Sequence, residues 1–352
     1  MYKSIVNIWG DWTTSDDIKP RVLRDVVKIW EKKYSDIQFN IKDYIIIHDS
    51  SKYRKIRAAE PDKCKYLRHS FNLNDTTSCF NFIIENNFTK KYMLISWWDR
   101  ASDVVHNFKR CDYSKNCVEF FTAQGCHNPE KSMKPAVDYI SNEPIEYTPL
   151  NKIPWDPVTG IEIEKQMCDP ARSQIIPEKL HIRNMGTGYG FRKYIINDSR
   201  FNTYNGPAVP PEVHVRELSR NKINMDVYSV SGPSMRLIEG MGLGSAVLST
   251  TFPQKHHDEL IPNFHFVRVP FNYDNYPFDP IYGDSDKIND LHLNTIYKEL
   301  ADSYIETFES LKGDLDKINF ISANAREYYL NNCTREKYTQ HLVQMLDLNK
   351  IL

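Results

Sequence analysis

The run Ser231-Gly-Pro-Ser234-Met-Arg236-Leu-Ile-Glu239-Gly240-Met-Gly242-Leu-Gly244-Ser-Ala-Val-Leu-Ser249 decides the fold. Its grammar is a small-residue turn, a helix of about two turns, a glycine-rich turn and a short apolar strand. A Gly/Ser turn opening into a helix presents free backbone N–H groups and the positive end of the helix dipole, which suits a phosphate. Arg236 and Glu239 are three apart and share a helical face near its start. An arginine there can grip phosphate oxygens in bidentate fashion, and a carboxylate one turn on can accept both hydroxyls of a ribose. The competing reading is a surface i,i+3 ion pair, worth little. Gly240-Met-Gly242-Leu-Gly244 follows a helix and precedes a strand, the wrong order for a dinucleotide fingerprint, and is read as a helix C-cap and turn.

Working outward, residues 222–228 read as a strand, 212–219 as a short helix, 179–183 as a strand, 186–190 as a loop and 191–196 as the start of a helix. The loop Gly186-Thr-Gly188-Tyr-Gly190, with Arg192 and Lys193 behind it, gives a pyrophosphate backbone room and positive charge. Residues 148–178 hold Pro149, Pro154, Pro157, Pro170 and Pro177 and show no period, so they read as a linker. Before them, residues 5–10 read as a strand and 18–33 as a helix, with Val22, Val26, Val27 and Trp30 on one face. Residues 44–49, 91–98 and 117–125 read as further buried strands of a parallel sheet, two of them stopping at an acid. Such strand ends are where ligands bind in open α/β sheets, which makes Asp11, His48, Asp49 and Asp99 candidates. Residues 288–352 read as helices, with Leu300, Tyr304, Phe308, Leu311, Tyr328, Tyr329, Tyr338, Leu342 and Met345 at near-helical intervals.

The 352 residues, 41% hydrophobic and 26% charged with only 13 Gly and 19 Pro, exclude collagen-like, low-complexity and wholly disordered chains. Lys and Arg number 45 against 46 Asp and Glu, so no global charge points to a polyanion. Aromatics reach 12%, and Trp9, Trp12, Trp97 and Trp98 near strand ends either stack on a ring or fill the core. No stretch is long and apolar enough to span a membrane, and the first ten residues are too short and polar-flanked for a secretory signal, so a cytoplasmic location is expected. The seven Cys lack CxxC spacing, and Asp284/Asp286 and Asp314/Asp316 sit in polar segments, so no metal is expected. His256, in Lys255-His-His-Asp-Glu259, is a weak candidate.

Residues 232–239 followed by 244–249 resemble the donor-site segment of GT-B glycosyltransferases, including exostosin-like enzymes, and are similar to the corresponding part of phage DNA glucosyltransferases. The likeness spans about 70 residues, 179–249. It implies a viral setting and two Rossmann-like α/β domains facing a cleft, with C-terminal helices packing back on the first. The domains would be 1–147 on the acceptor side, 148–178 as linker, 179–318 binding the nucleotide sugar and 319–352 as returning helices. The activity implied is hexosyl or pentosyl transfer from a nucleoside diphosphate sugar of the UDP kind, without a cofactor, to a glycan, protein, small molecule or DNA. Glu239 looks like the ribose ligand, Ser234 and Arg236 the diphosphate contacts, and Gly188 with Arg192 the opposite wall. Asp99 resembles the strand-end acid that takes the acceptor proton. The rival classes are a nucleotide-dependent oxidoreductase, which lacks its fingerprint here, and a non-catalytic nucleotide- or sugar-binding protein.

Overall fold

A computed structural model describes residues 2–10, 12, 18–43, 81–96, 116–122, 148–149, 157–168, 174–183, 191–204, 206, 209–226, 235–250, 260–271 and 290–352. The protein is a mixed α/β molecule built on open sheets.

The first sheet has six strands: β1 (Ser4–Gly10), β2 (Ile37–Asp43), β3 (Asn81–Asn86), β4 (Tyr92–Ser96), β5 (Cys117–Thr122) and β6 (Thr148–Pro149), in the order β2-β1-β3-β4-β5-β6. It is not the parallel sheet expected, because β3 runs antiparallel to both β1 and β4. The reason is local. A parallel pair needs a long crossover, whereas β3 and β4 are joined by a tight turn. In that turn Asn86 Oδ1 accepts from the N–H groups of Phe88 (2.8 Å) and Thr89 (3.2 Å), and Lys90 takes a left-handed φ of 61°. The parallel pairs are β1–β2, β4–β5 and β5–β6.

Helix α1 (Ile18–Lys33) lays Val22, Leu23, Val26, Val27 and Trp30 on one face of this sheet, against alternate residues Val6, Ile8, Phe82, Ile84, Met93 and Ile95. Each such fully buried apolar side chain contributes about 1.5–3 kcal/mol. Trp12 belongs to this core: its ring meets Phe82 edge-on at 5.4 Å and its Nε1 donates to the Lys42 carbonyl at 3.0 Å. That removes Trp12 as a stacking platform; half-buried Trp9 donates its Nε1 to Glu85 Oε2 at 3.1 Å, and Trp97 and Trp98 lie outside the described residues.

The remaining strands are all parallel. β7 (His181–Arg183) pairs with β8 (Asn202–Tyr204), and β9 (Ile223–Met225), β10 (Ala246–Thr250) and β11 (Val267–Val269) form a sheet in the order β11-β10-β9. Alternation along them sends Ile223, Met225, Ala246 and Leu248 to one face, where α3 (Phe191–Ile195), α6 (Asp290–Leu311) and the start of α7 (Leu315–Tyr328) cover them. Val247 faces the other way, into a cluster with α2 (Pro157–Cys168), α4 (Pro211–Ser219) and α5 (Met235–Gly242). Helix α2 lies within the segment expected to be a linker. Pro157 occupies its first position, where a missing N–H costs nothing, and Ile163 buries fully in the cluster.

After α7, a π turn (Tyr329–Cys333) keeps Tyr329 and Cys333 in that cluster, and Thr334 then caps α8 (Arg335–Met345) by accepting from the Lys337 N–H. Helix α8 and the residues after it cross to the first sheet, burying Tyr338, Leu342, Leu346, Leu348 and Ile351 beside α1. The end of the chain is fixed there by Thr89 Oγ1 donating to the Ile351 carbonyl (3.0 Å) and by a Lys350–Glu119 ion pair (2.5 Å). No helix among the described residues is long and apolar enough to cross a membrane.

Candidate functional site

Helix α5 leaves its sheet through a Schellman turn. Ser245 N–H donates to the Gly240 carbonyl at 3.0 Å and Gly244 N–H to the Met241 carbonyl at 2.9 Å, with Gly244 at φ 66°, a conformation glycine adopts without strain. At its middle α5 lies flat on the sheet: a Cβ on Gly240 would meet Val247 Cγ2 at 2.5 Å, so only glycine allows this approach. Because β9 and β10 are parallel neighbours, the helix between them runs back against both strands. Four helical residues cover ~6 Å and two strand residues ~6.6 Å, so Arg236 stands near the level of Asp226 and Ser249, at the carboxyl edge of the sheet.

There α5 meets α4. The Glu239 carboxylate is buried, only 3% exposed, and its Oε2 takes both contacts that reach it. One is from Arg236 Nη1, which donates to it, and the other is His214 Nε2 at 3.1 Å. Arg236 Nη1 is also 2.6 Å from His214 Nε2, closing a triangle of three groups on two helices. The i,i+3 pair is therefore formed, but inside the molecule and not on its surface. Burial by itself would raise the Glu239 pKa; the neighbouring Arg236 charge and the His214 hydrogen bond outweigh it and hold the carboxyl down, at about 2. Glu239 is thus an ionised, acceptor-only group, and its contacts with Arg236 and His214 both fall on Oε2.

A second buried polar set lies under the same edge. Asp226, directly after β9 and fully buried, accepts from Ser249 Oγ at 2.7 Å on Oδ2, and its carbonyl accepts from the Tyr304 hydroxyl at 2.5 Å. Asn224 donates to the Leu218 carbonyl (3.0 Å) and to Ser245 Oγ (2.9 Å), which ties α4, β9 and the turn after α5 together. Thr250 Oγ1, at the end of β10, is buried with no hydrogen-bond partner among the described residues.

Of the residues singled out from sequence, Arg236 and Glu239 are brought together. Arg192 sits on α3, one residue into the helix that follows β7. Asp99, Gly188 and Ser234 lie outside the described residues, as do Asp11, His48, Asp49, His256, Asp284 and Asp286. Asp314 caps α7, its side chain accepting from the Lys317 N–H at 3.0 Å, with Asp316 in the first turn, so this Asp-x-Asp pair serves a helix start. Sequence reasoning missed His214 and Asp226. Asp226 directly follows β9 but fell inside the strand read over residues 222–228; His214 carried no signal, because only the docking of α4 on α5 brings it to Glu239. Among the described residues no group of three or more His, Cys, Asp and Glu is gathered in metal-binding fashion. No family model matches the chain, and no curated protein matches it significantly.

Proposed function

We propose that the protein is a glycosyltransferase of GT-B type, moving a sugar from a nucleoside diphosphate sugar to an acceptor hydroxyl. The observation that carries this reading is Glu239: a buried, ionised carboxylate near the carboxyl edge of parallel strands, whose contacts with Arg236 and His214 both fall on one oxygen. That is the chemistry a ribose diol requires. Parallel strands covered on both faces, a helix returning between β9 and β10, and a last helix that crosses to the first sheet also support it.

In this reading Glu239 accepts the ribose hydroxyls. Ser234 and Arg236 meet the diphosphate, with Gly188 and Arg192 opposite. Asp99, in the 1–147 region, takes the acceptor proton as the acceptor oxygen attacks the sugar carbon, and the electron pair of the breaking bond leaves on the diphosphate. Arg236, Arg192 and backbone N–H groups stabilise that departing charge, and the barrier falls further through positioning of the two substrates. The donor chemistry lies on the 179–318 side and acceptor selection on the 1–147 side.

The test is calorimetry with nucleoside diphosphates and their sugars, with NAD and flavin as controls, since specific binding stabilises the folded state by mass action. Stabilisation by one nucleoside diphosphate, lost in Glu239→Ala, is the expected outcome. Asp99→Asn separates enzyme from binding protein: turnover disappears and donor binding stays.

A further inference from the structure

Strand β10 alternates between the two faces of its sheet. Val247 turns toward α5 and Ser249 toward Asp226, while Ala246 and Leu248 join the cluster under α3 and α6. Thr250, the last residue of β10, continues the second series: it stands beside Val269 of β11, as Leu248 stands beside Val267, and both valines lie in that cluster. Its neighbours there are aliphatic. Thr250 is 0% exposed, and its Oγ1 has no hydrogen-bond partner among the described residues. Valine has the same shape without the hydroxyl and occupies the matching positions of β11, so threonine here buries an unmet polar group with no gain in packing. That destabilisation disappears when a ligand at the strand end takes the hydrogen bond.

We infer that Thr250 is a further donor-site residue, whose hydroxyl donates to a phosphate oxygen of the nucleoside diphosphate. The inference rests on the nucleotide-sugar reading above and adds a residue on the face of the sheet opposite α5. In that reading Ser234 and Arg236 meet the diphosphate from one wall, and Gly188 and Arg192 from the other. Arg236 stands on α5 and Arg192 on α3, helices that cover opposite faces of this sheet. A diphosphate held between them crosses the carboxyl edge, where β10 ends at Thr250. A threonine O–H directed at an anionic oxygen makes a charge-assisted bond, stronger than a neutral one. Because the residue is buried, seating the phosphate opens the edge above it, and binding exchanges an unmet hydroxyl for that bond.

The experiment is calorimetry of the full chain with UDP, CDP, ADP and GDP and with their nucleosides, for the wild type, Thr250→Val and Thr250→Ser, beside thermal unfolding of each. Thr250→Val is expected to bind the preferred diphosphate roughly 10-fold more weakly, the size of one hydrogen bond to a charged group. Its affinity for the matching nucleoside stays at the wild-type value, and its unfolding temperature rises. Thr250→Ser, which keeps the hydroxyl, keeps most of the diphosphate affinity. If Thr250→Val does not fold, Thr250→Ser against Thr250→Ala makes the same comparison, one hydroxyl apart. A hydroxyl unmet for structural reasons alone would give the rise in unfolding temperature with unchanged diphosphate affinity. That result overturns the role of Thr250 and leaves the nucleotide site standing, and equal weakening of nucleoside and diphosphate overturns the phosphate contact. Absence of binding by the wild type to all four nucleotides overturns both the inference and the reading beneath it.

Discussion

The first sheet and the β9–β11 sheet bury polar groups differently. On the first sheet one carboxylate among the described residues is buried, Glu85, which accepts from Trp9 Nε1 at 3.1 Å, and beside it stand buried or half-buried amides that satisfy one another: Asn40 donates to Asn7 Oδ1 and Asn7 to Asn87 Oδ1, both at 3.3 Å, and Gln38 donates to Asn40 Oδ1 at 3.0 Å. Beside β9 and β10 a buried ionised carboxylate, Glu239, meets the Arg236 guanidinium and the His214 ring, and the buried Asp226 side chain accepts from Ser249. Paired amides cost little to bury, whereas ionised groups lose several kcal/mol of hydration and often add no net stability against an apolar alternative. A cluster held at that cost is better explained by what it binds than by the fold it supports. The face of the first sheet that α1 and α8 seal is read as scaffold.

The contrast is broken most forcefully at Glu239. Glu239→Ala removes the buried carboxylate that Arg236 and His214 contact, and unfolding in denaturant should show a loss of about 3–5 kcal/mol, together with a roughly 100-fold weaker nucleotide affinity. On the scaffold side, Leu342→Ala on α8 empties a fully buried position of the first core. A loss of about 3 kcal/mol is expected there, with nucleotide affinity in the folded protein unchanged; a large affinity loss would mean that the two regions are not separable in this way.

Acid titration sharpens the comparison further. The Glu239 carboxyl is held below its ordinary value, so the stability it contributes is complete above the normal carboxylate range and is lost as pH falls from about 4.5 toward about 2. Glu239→Gln should flatten that part of the stability curve, and an unchanged curve would show that the carboxyl is not held ionised. The smallest effect belongs to Arg335, whose ion pair with Asp25 (Nε to Oδ2, 2.8 Å) is largely exposed. Arg335→Ala should cost less than about 1 kcal/mol and should fade in high salt.

Much of this was legible in the chain itself. Helix α1 was, because Val22, Val26, Val27 and Trp30 keep one face, and so was the α5-to-β10 segment, because glycine marks both the close approach at 240 and the turn at 244. Strand β3 was not: Asn81-Phe-Ile-Ile-Glu-Asn86 is a three-residue apolar run between asparagines, too short to separate from a loop. Its antiparallel course depends on the turn at Asn86. Helix α2 was hidden by the prolines of the 148–178 segment, one of which, Pro157, starts it. The spacing of Arg236 and Glu239 could be read directly, but their burial could not, since it depends on α4 folding over them. A lone histidine in a nine-residue helix looks the same in sequence whether it packs or meets a buried carboxylate.

The most direct test is titration of the wild type and Glu239→Gln with nucleoside diphosphates by calorimetry. Saturable binding of one of them by the wild type, weakened at least roughly 10-fold in a variant that remains folded, is the expected result. Equal binding by both proteins, or binding by neither, would contradict a nucleotide site built on Glu239.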